Sequence, residues 1–173
     1  MTPAESKLSA AERRQLGAKA AAALAVMRKS AREIAEGLAP ITAAEAESFQ
    51  RGDEPPAALT IRLLRNYVDV RRAQAGGQPI DDEKLAYTLG YLYADAIAKS
   101  LAWDLVFLKT THMQNGDVAA VSPDRKYAAY PAMFIYRLLM QPDHDNTIAL
   151  SVNMLRENAM PDAPAKSYTI VIG

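Results

Sequence analysis

Between positions 85 and 155 the hydrophobic period of this chain changes more than once, and a chain does that by changing secondary structure. Leu85, Leu89, Leu92, Tyr93, Ala96 and Ile97 recur at steps of three and four. They make one wide apolar helix face, with Lys84, Thr88, Asp95 and Lys99 opposite. Asp81 or Asp82 supplies the N-cap. Gly90 lies at the flank of the apolar face. A glycine inside a helix costs about 1 kcal/mol against alanine, so its place predicts a close backbone crossing. From Trp103 the period is lost. Leu105-Val106-Phe107-Leu108 is consecutively apolar, as in a strand covered on both faces. Gln114-Asn115-Gly116-Asp117 is a hairpin signal, which pairs residues 118–121 antiparallel with that strand. Ser122-Pro123-Asp124-Arg125 ends the second strand. Pro131 suits the first turn of a helix reaching Met140, with Met133, Phe134, Arg137 and Leu138 at helical spacing. After a loop at 142–146, Ile148, Leu150, Val152 and Met154 alternate with Ala149, Ser151 and Asn153. That alternation predicts a strand over 147–155 with one covered face. A loop over 158–166 and a last strand over 168–172 complete the chain.

The first eighty residues carry helical periodicity. Ser9 and Glu12 have capping-box spacing. Leu16, Ala20, Leu24, Met27, Ala31, Ile34 and Leu38 then form one stripe, stopped by Gly37 and Pro40, which predicts a single helix of about 28 residues and about 42 Å. Thr42 and Glu45 repeat the capping-box spacing and start a short helix that Gly52 ends. Asp53-Glu54-Pro55-Pro56 is a breaker. A third helix runs from about 57 to 75, with Ile61, Leu64, Tyr67, Val68 and Arg71 on one side and Arg62, Arg65, Asp69 and Arg72 on the other. The expected architecture is a single α+β domain over 1–173. Its helical part, 1–80, packs with the helix after it against a small, mainly antiparallel sheet in 81–173.

The chain has 173 residues, enough to bury roughly 70% of the surface of its unfolded form. Lys plus Arg number 20 and Asp plus Glu number 20, so the net charge is zero. Non-specific binding to nucleic acid or to a membrane surface needs a basic excess that is absent here. With no cysteine there is no disulfide, thiolate metal site or Cys nucleophile. That fits a reducing compartment and also many periplasmic proteins. No stretch is apolar enough to span a bilayer. Arg13-Arg14 followed by residues 18–27 resembles a targeting signal, but Lys19 interrupts the run and the period is helical, so it reads as an ordinary helix.

Candidate chemistry is sparse. Asp143-His144-Asp145 offers an imidazole and two carboxylates, which can share a cation. Residues so close in sequence do not converge readily, and a solvated turn is the simpler account. His112, just before the hairpin turn, needs a carboxylate or hydroxyl within hydrogen-bond reach to act as a base. Tyr91, Asp95 and Lys99 stand at i, i+4 and i+8 on the fourth helix. The simple reading is a surface ion pair; the functional one places Asp95 in a cleft beside the sheet. Arg62, Arg65 and Arg72 can receive an anion or an acidic partner, although Asp69 and Glu54 lie near them. Tyrosines are dense in the second half, among them Tyr91, Tyr127 and Tyr130, and tyrosine is enriched at interfaces. There is no glycine-rich phosphate loop, nucleophile elbow or metalloprotease helix motif.

Leu89-Gly90, Ala94-Asp95, the strand led by Trp103, residues 118–121 and Tyr130-Pro131 together resemble a family of small bacterial domains with no assigned function. The likeness covers residues 89–139. Ala94 stands where the family often has Gly. The resemblance implies an α+β fold and transfers no active site; some relatives look like immunity proteins that act as antitoxins in bacterial competition.

The expected function is a non-catalytic protein-binding module, of the immunity type on the resemblance. Its binding surface would draw on Tyr91, Asp95, Trp103, Tyr127, Tyr130, Arg62 and Arg65, with another protein as partner and no cofactor or metal. The alternative is a small hydrolase or ligand-binding protein using Asp95, Tyr91 and His112 or His144 around a polar cleft. The heptad-like stripe of the first helix also suits a homodimer, unless the chain's own third and fourth helices cover it.

Overall fold

The computed structural model describes residues 3–111 and 113–173. In chain order the elements are β1 (Ala4–Lys7), α1 (Ala10–Arg28), α2 (Ala31–Ala35), α3 (Ala43–Arg51), α4 (Ala57–Gln74) and α5 (Glu83–Leu101). There follow β2 (Asp104–Lys109), β3 (Asp117–Val121), β4 (Tyr127–Ala129), α6 (Pro131–Met140), α7 (Ile148–Arg156) and β5 (Thr169–Ile172). The strands form one sheet in the order β1-β2-β3-β4-β5. The first three pairings are antiparallel and β4 pairs β5 parallel. The α+β architecture, with helices packed on a mainly antiparallel sheet, is the one the patterning predicts. Among the described residues no helix is long and apolar enough to cross a membrane.

Helix α5 is the hub. It touches α1, α4, α6, α7 and strands β2 and β3. Asp82 caps it through the Leu85 N–H, and Ala102 ends it in the left-handed region at φ 53°. Leu89, Tyr93 and Ile97 on its apolar face are fully buried. The Tyr93 hydroxyl donates to the Ile148 carbonyl at 2.8 Å, which satisfies the one polar atom of a buried ring. The crossing predicted at Gly90 is present. A Cβ there would lie 2.3 Å from the Ala132 Cα, so the α5 backbone rests directly on the first turn of α6. Pro131 opens α6 at its first position, where a missing N–H costs nothing.

Both faces of the sheet are covered. Residues paired across strands share a face. Leu105, Ala120, Ala129 and Ile172 therefore lie on the inner face, and they belong to the main helical core. Val106, Leu108, Ala119, Val121 and Ala128 lie on the outer face and form a second small cluster with Tyr130, Met113, Tyr168 and Ile170.

Four expectations are corrected. Residues 147–155 are helix, not strand. The alternation is real, but Ile148, Val152 and Leu155 are the buried residues and stand at i, i+4 and i+7, a helical stripe; Leu150 and Met154 face outward. The helix expected over the stripe from 9 to 38 breaks at Lys29 and Ser30, so α1 and α2 are separate. There the Arg28 guanidinium leaves the helix to donate to the carbonyls of Phe49, Gly52 and Asp53 and tie down the end of α3. Strands β1 and β4 had no sequence signal, being four and three residues long. The "helical" first eighty residues thus begin with a strand, which closes the sheet edge. The stripe of Leu16, Ala20, Ala23, Leu24 and Met27 is buried within the chain, and α1 packs on α5.

Candidate functional site

Trp103 and Tyr127, far apart in sequence, meet in one open cleft of about 290 Å³ with Pro123, Leu155 and Met160. The termination of α5 positions Trp103. With Ala102 left-handed, the Trp103 N–H turns back to the Ala98 carbonyl at 3.0 Å and the indole stands where helix passes into β2. Part of the ring packs on the main core and part lines the cleft. Tyr127 is held by its N–H, which donates to the Ser122 hydroxyl at 3.0 Å, and by its own hydroxyl, which donates to the Pro161 carbonyl at 2.8 Å. The Ser122 hydroxyl donates to Asp124 at 2.8 Å, and the Lys126 N–H donates to the same oxygen at 3.1 Å. These bonds hold the Asp124 carboxyl below its ordinary range, the Lys126 N–H first. The polar atoms of this wall are thus engaged within the chain. What remains for a visitor is aromatic and aliphatic surface. On α7, whose Leu155 lines the cleft, Leu150 is 57% exposed and Met154, one turn on, 37%.

The other sequence candidates go elsewhere. Tyr130 is buried, and its hydroxyl donates to the Leu108 carbonyl at 3.2 Å; burial pushes its pKa up. Arg62 makes a two-pronged pair with Glu45, at 2.6 and 3.2 Å, and also donates to the Pro40 carbonyl. That pair, led by the Arg62 hydrogen bond, holds Glu45 down at about 2. Arg65 pairs with Asp69 at 3.2 Å. Both arginines thus bind the helical layer to itself. Asp95 lines a cavity of about 320 Å³, but between α1, α4 and α5 and not beside the sheet. It pairs with Lys99 at 2.7 Å, the i,i+4 ion pair of the simple reading, and Lys99 also meets Glu54 at 3.5 Å. The Asp95 hydrogen bond raises the Lys99 pKa. Asp143, His144 and Asp145 are exposed on a turn whose carbonyls at 141, 142 and 144 accept from Arg72. Among the described residues no group of three His, Asp or Glu side chains could hold a metal ion. His112, the other base candidate, lies outside the described residues.

Tyr91 lies in a further cleft, of about 180 Å³, with Lys19, Phe107 and Asp117. Sequence reasoning assigned Asp117 to the hairpin turn and missed that it is only 8% exposed. The signal was its place directly after Gly116, whose φ of 75° lets the turn lie against the Phe107 ring. Burial pushes the Asp117 carboxyl up; the Val118 N–H and the Lys19 charge pull it back in part. The Tyr91 hydroxyl is raised as well, by burial first and then by Asp117.

Among known proteins no family model, no curated protein and no solved structure matches the chain. Its function therefore has to be argued from its own chemistry.

Proposed function

We propose that the protein is a binding module whose Trp103–Tyr127 cleft receives an apolar side chain of a partner protein. The observation that carries this reading is the union of two aromatic rings with Pro123, Leu155 and Met160 in a cleft whose wall has its polar atoms already paired. A ligand rich in hydrogen-bonding groups finds little to bind there, whereas an apolar anchor is desolvated on several sides. Trp and Tyr are the residue types that most often dominate binding energy, and such anchors fill pockets. Leu150 and Met154 extend the apolar surface of α7 and suit the surrounding contact.

The test uses a photo-crosslinking residue at Leu150 and the same residue at Arg14, on α1, as control. A discrete protein adduct is expected from position 150 only. Tyr127→Ala should weaken binding of the captured partner roughly 30-fold, the equivalent of about 2 kcal/mol for a central anchor. Trp103 is the chain's single tryptophan, so its fluorescence reads the cleft directly. Equal adducts at both positions, or partner binding that leaves Trp103 emission and the Tyr127→Ala affinity unchanged, would reject the reading. The finer proposal, that the partner is a toxin which this chain neutralises, rests on the family resemblance of residues 89–139. It expects the captured protein to be toxic when produced alone and harmless when co-produced.

A further inference from the structure

We propose that the cleft between α1, α5 and the β2–β3 hairpin is a binding site for a primary alkylammonium group, with Asp117 as its anion and the Tyr91 ring as its π face. This site is separate from the Trp103–Tyr127 cleft and does not depend on it.

Asp117 is the anomaly. Its carboxylate is more than nine-tenths buried, yet the one hydrogen bond it accepts among the described residues comes from its neighbour, the Val118 N–H, at 2.7 Å. No lysine or arginine among the described residues stands within ion-pair distance of it. Elsewhere in the molecule the half-buried carboxylates of Glu5 and Glu45 each have an arginine in direct contact. A desolvated carboxylate without a counter-charge is costly, and proteins hold such groups for a ligand or for a proton.

The surroundings choose the ligand. Tyr91 and Phe107 present aromatic rings to the same cleft, and Leu16 and Val118 present aliphatic ones. A buried anion beside aromatic faces attracts an organic cation. A hard metal ion is poorly served, because it needs several oxygen ligands, and the other carboxylate of the cleft, Glu12, is committed to the Ser9 N–H at 2.7 Å. The chain already demonstrates the affinity: the Lys19 ammonium sits 4.6 Å from the Tyr91 ring centroid. Two carboxylates and one ammonium line the cleft, Glu12 and Asp117 against Lys19, so one negative charge is left over. A volume of about 180 Å³ admits a short alkylammonium and not a large cofactor. Lys19 is thus the resident cation that a ligand's ammonium displaces.

The experiment is an NMR titration of the whole chain with n-butylammonium chloride, using n-butanol as the uncharged isostere. The wild type is compared with Lys19→Met, Asp117→Asn and Tyr91→Leu. Lys19→Met should bind butylammonium at least tenfold more tightly than the wild type and at least tenfold more tightly than butanol. Asp117→Asn in the Lys19→Met background should abolish saturable binding, and Tyr91→Leu in that background should weaken it about fivefold, the order of one partly desolvated cation–π contact. If Asp117→Asn does not fold, the butanol comparison and Tyr91→Leu still decide. No saturable binding to Lys19→Met, equal binding of butanol, or binding unchanged by Asp117→Asn or Tyr91→Leu would overturn the proposal. Nα-acetyl-lysine amide separates two sources of the same chemistry. Tighter binding than butylammonium assigns the site to a partner's lysine side chain, and weaker binding assigns it to a free amine.

Discussion

The two faces of the sheet are made from the same short strands and are protected in different ways. The inner face is covered by whole helices. Leu105, Ala120, Ala129 and Ile172 join a core built around Leu89, Tyr93 and Ile97 of α5 and Ile135, Leu138 and Leu139 of α6. The outer face has no helix over it. Val106, Leu108, Ala119, Val121 and Ala128 are nevertheless almost fully buried, beneath side chains. Arg125 meets Glu5 through two bonds of 2.8 and 2.9 Å and Asp104 at 2.6 Å, while the Tyr168 hydroxyl donates to Glu5 at 2.8 Å. A helix covers a face with apolar area of its own, whereas this arrangement covers it with hydrogen-bonded side chains. The first is insensitive to pH and intolerant of volume change. The second should tolerate volume change better and respond to acid.

The sharpest test pairs two leucines of equal burial. Leu89→Ala, on the helical side, should cost about 4 kcal/mol in urea unfolding, because packed helices relax little around the cavity. Leu108→Ala, on the outer side, should cost about 2 kcal/mol, because the overlying side chains can settle into the space. Equal costs would erase the distinction. Next in size, Gly90→Ala should cost about 3 kcal/mol, since its Cβ meets backbone and not a movable side chain; a cost under about 0.5 kcal/mol would mean that α5 and α6 slide freely. Smallest, Glu5→Gln should cost about 1 kcal/mol at neutral pH. The Arg125 hydrogen bond holds the Glu5 pKa below its ordinary 4.5. The contribution is therefore present above that value and lost as pH falls through the lower folded one. The gap between wild type and Glu5→Gln should be constant from neutral pH to about 5 and close on further acidification. A gap that widened in acid would contradict the assignment.

Legibility in the sequence followed the range of the interactions. Helix α5, its Asp82 cap, the Gly90 crossing, the β2–β3 hairpin and the Pro131 start are set by spacings of a few residues, and all could be read. Helix α7 was misread because Ile148, Leu150, Val152 and Met154 satisfy period two while the neighbours that bury Ile148 and Val152 lie on α4 and α5. Strands β1 and β4 were invisible because three or four residues hold no period; their pairing depends on partners elsewhere in the chain. Of the proposed cleft, Trp103 and Tyr127 were singled out, but not that they converge, since Leu155 and Met160 arrive with the misassigned segment. Asp117 was missed because an acidic residue after Asn-Gly has an ordinary place in a hairpin, and its burial comes from α1 and α5.

The contact from Glu5 to Tyr168 spans 163 positions, and that from Glu5 to Arg125 spans 120. During synthesis, then, Ala4–Lys7 emerge early and wait for almost everything that secures them. Until that late meeting on the nascent chain, β2 has an open flank that a second copy could use, so slow translation of the last fifty codons should favour clumping more than a pause early in the message.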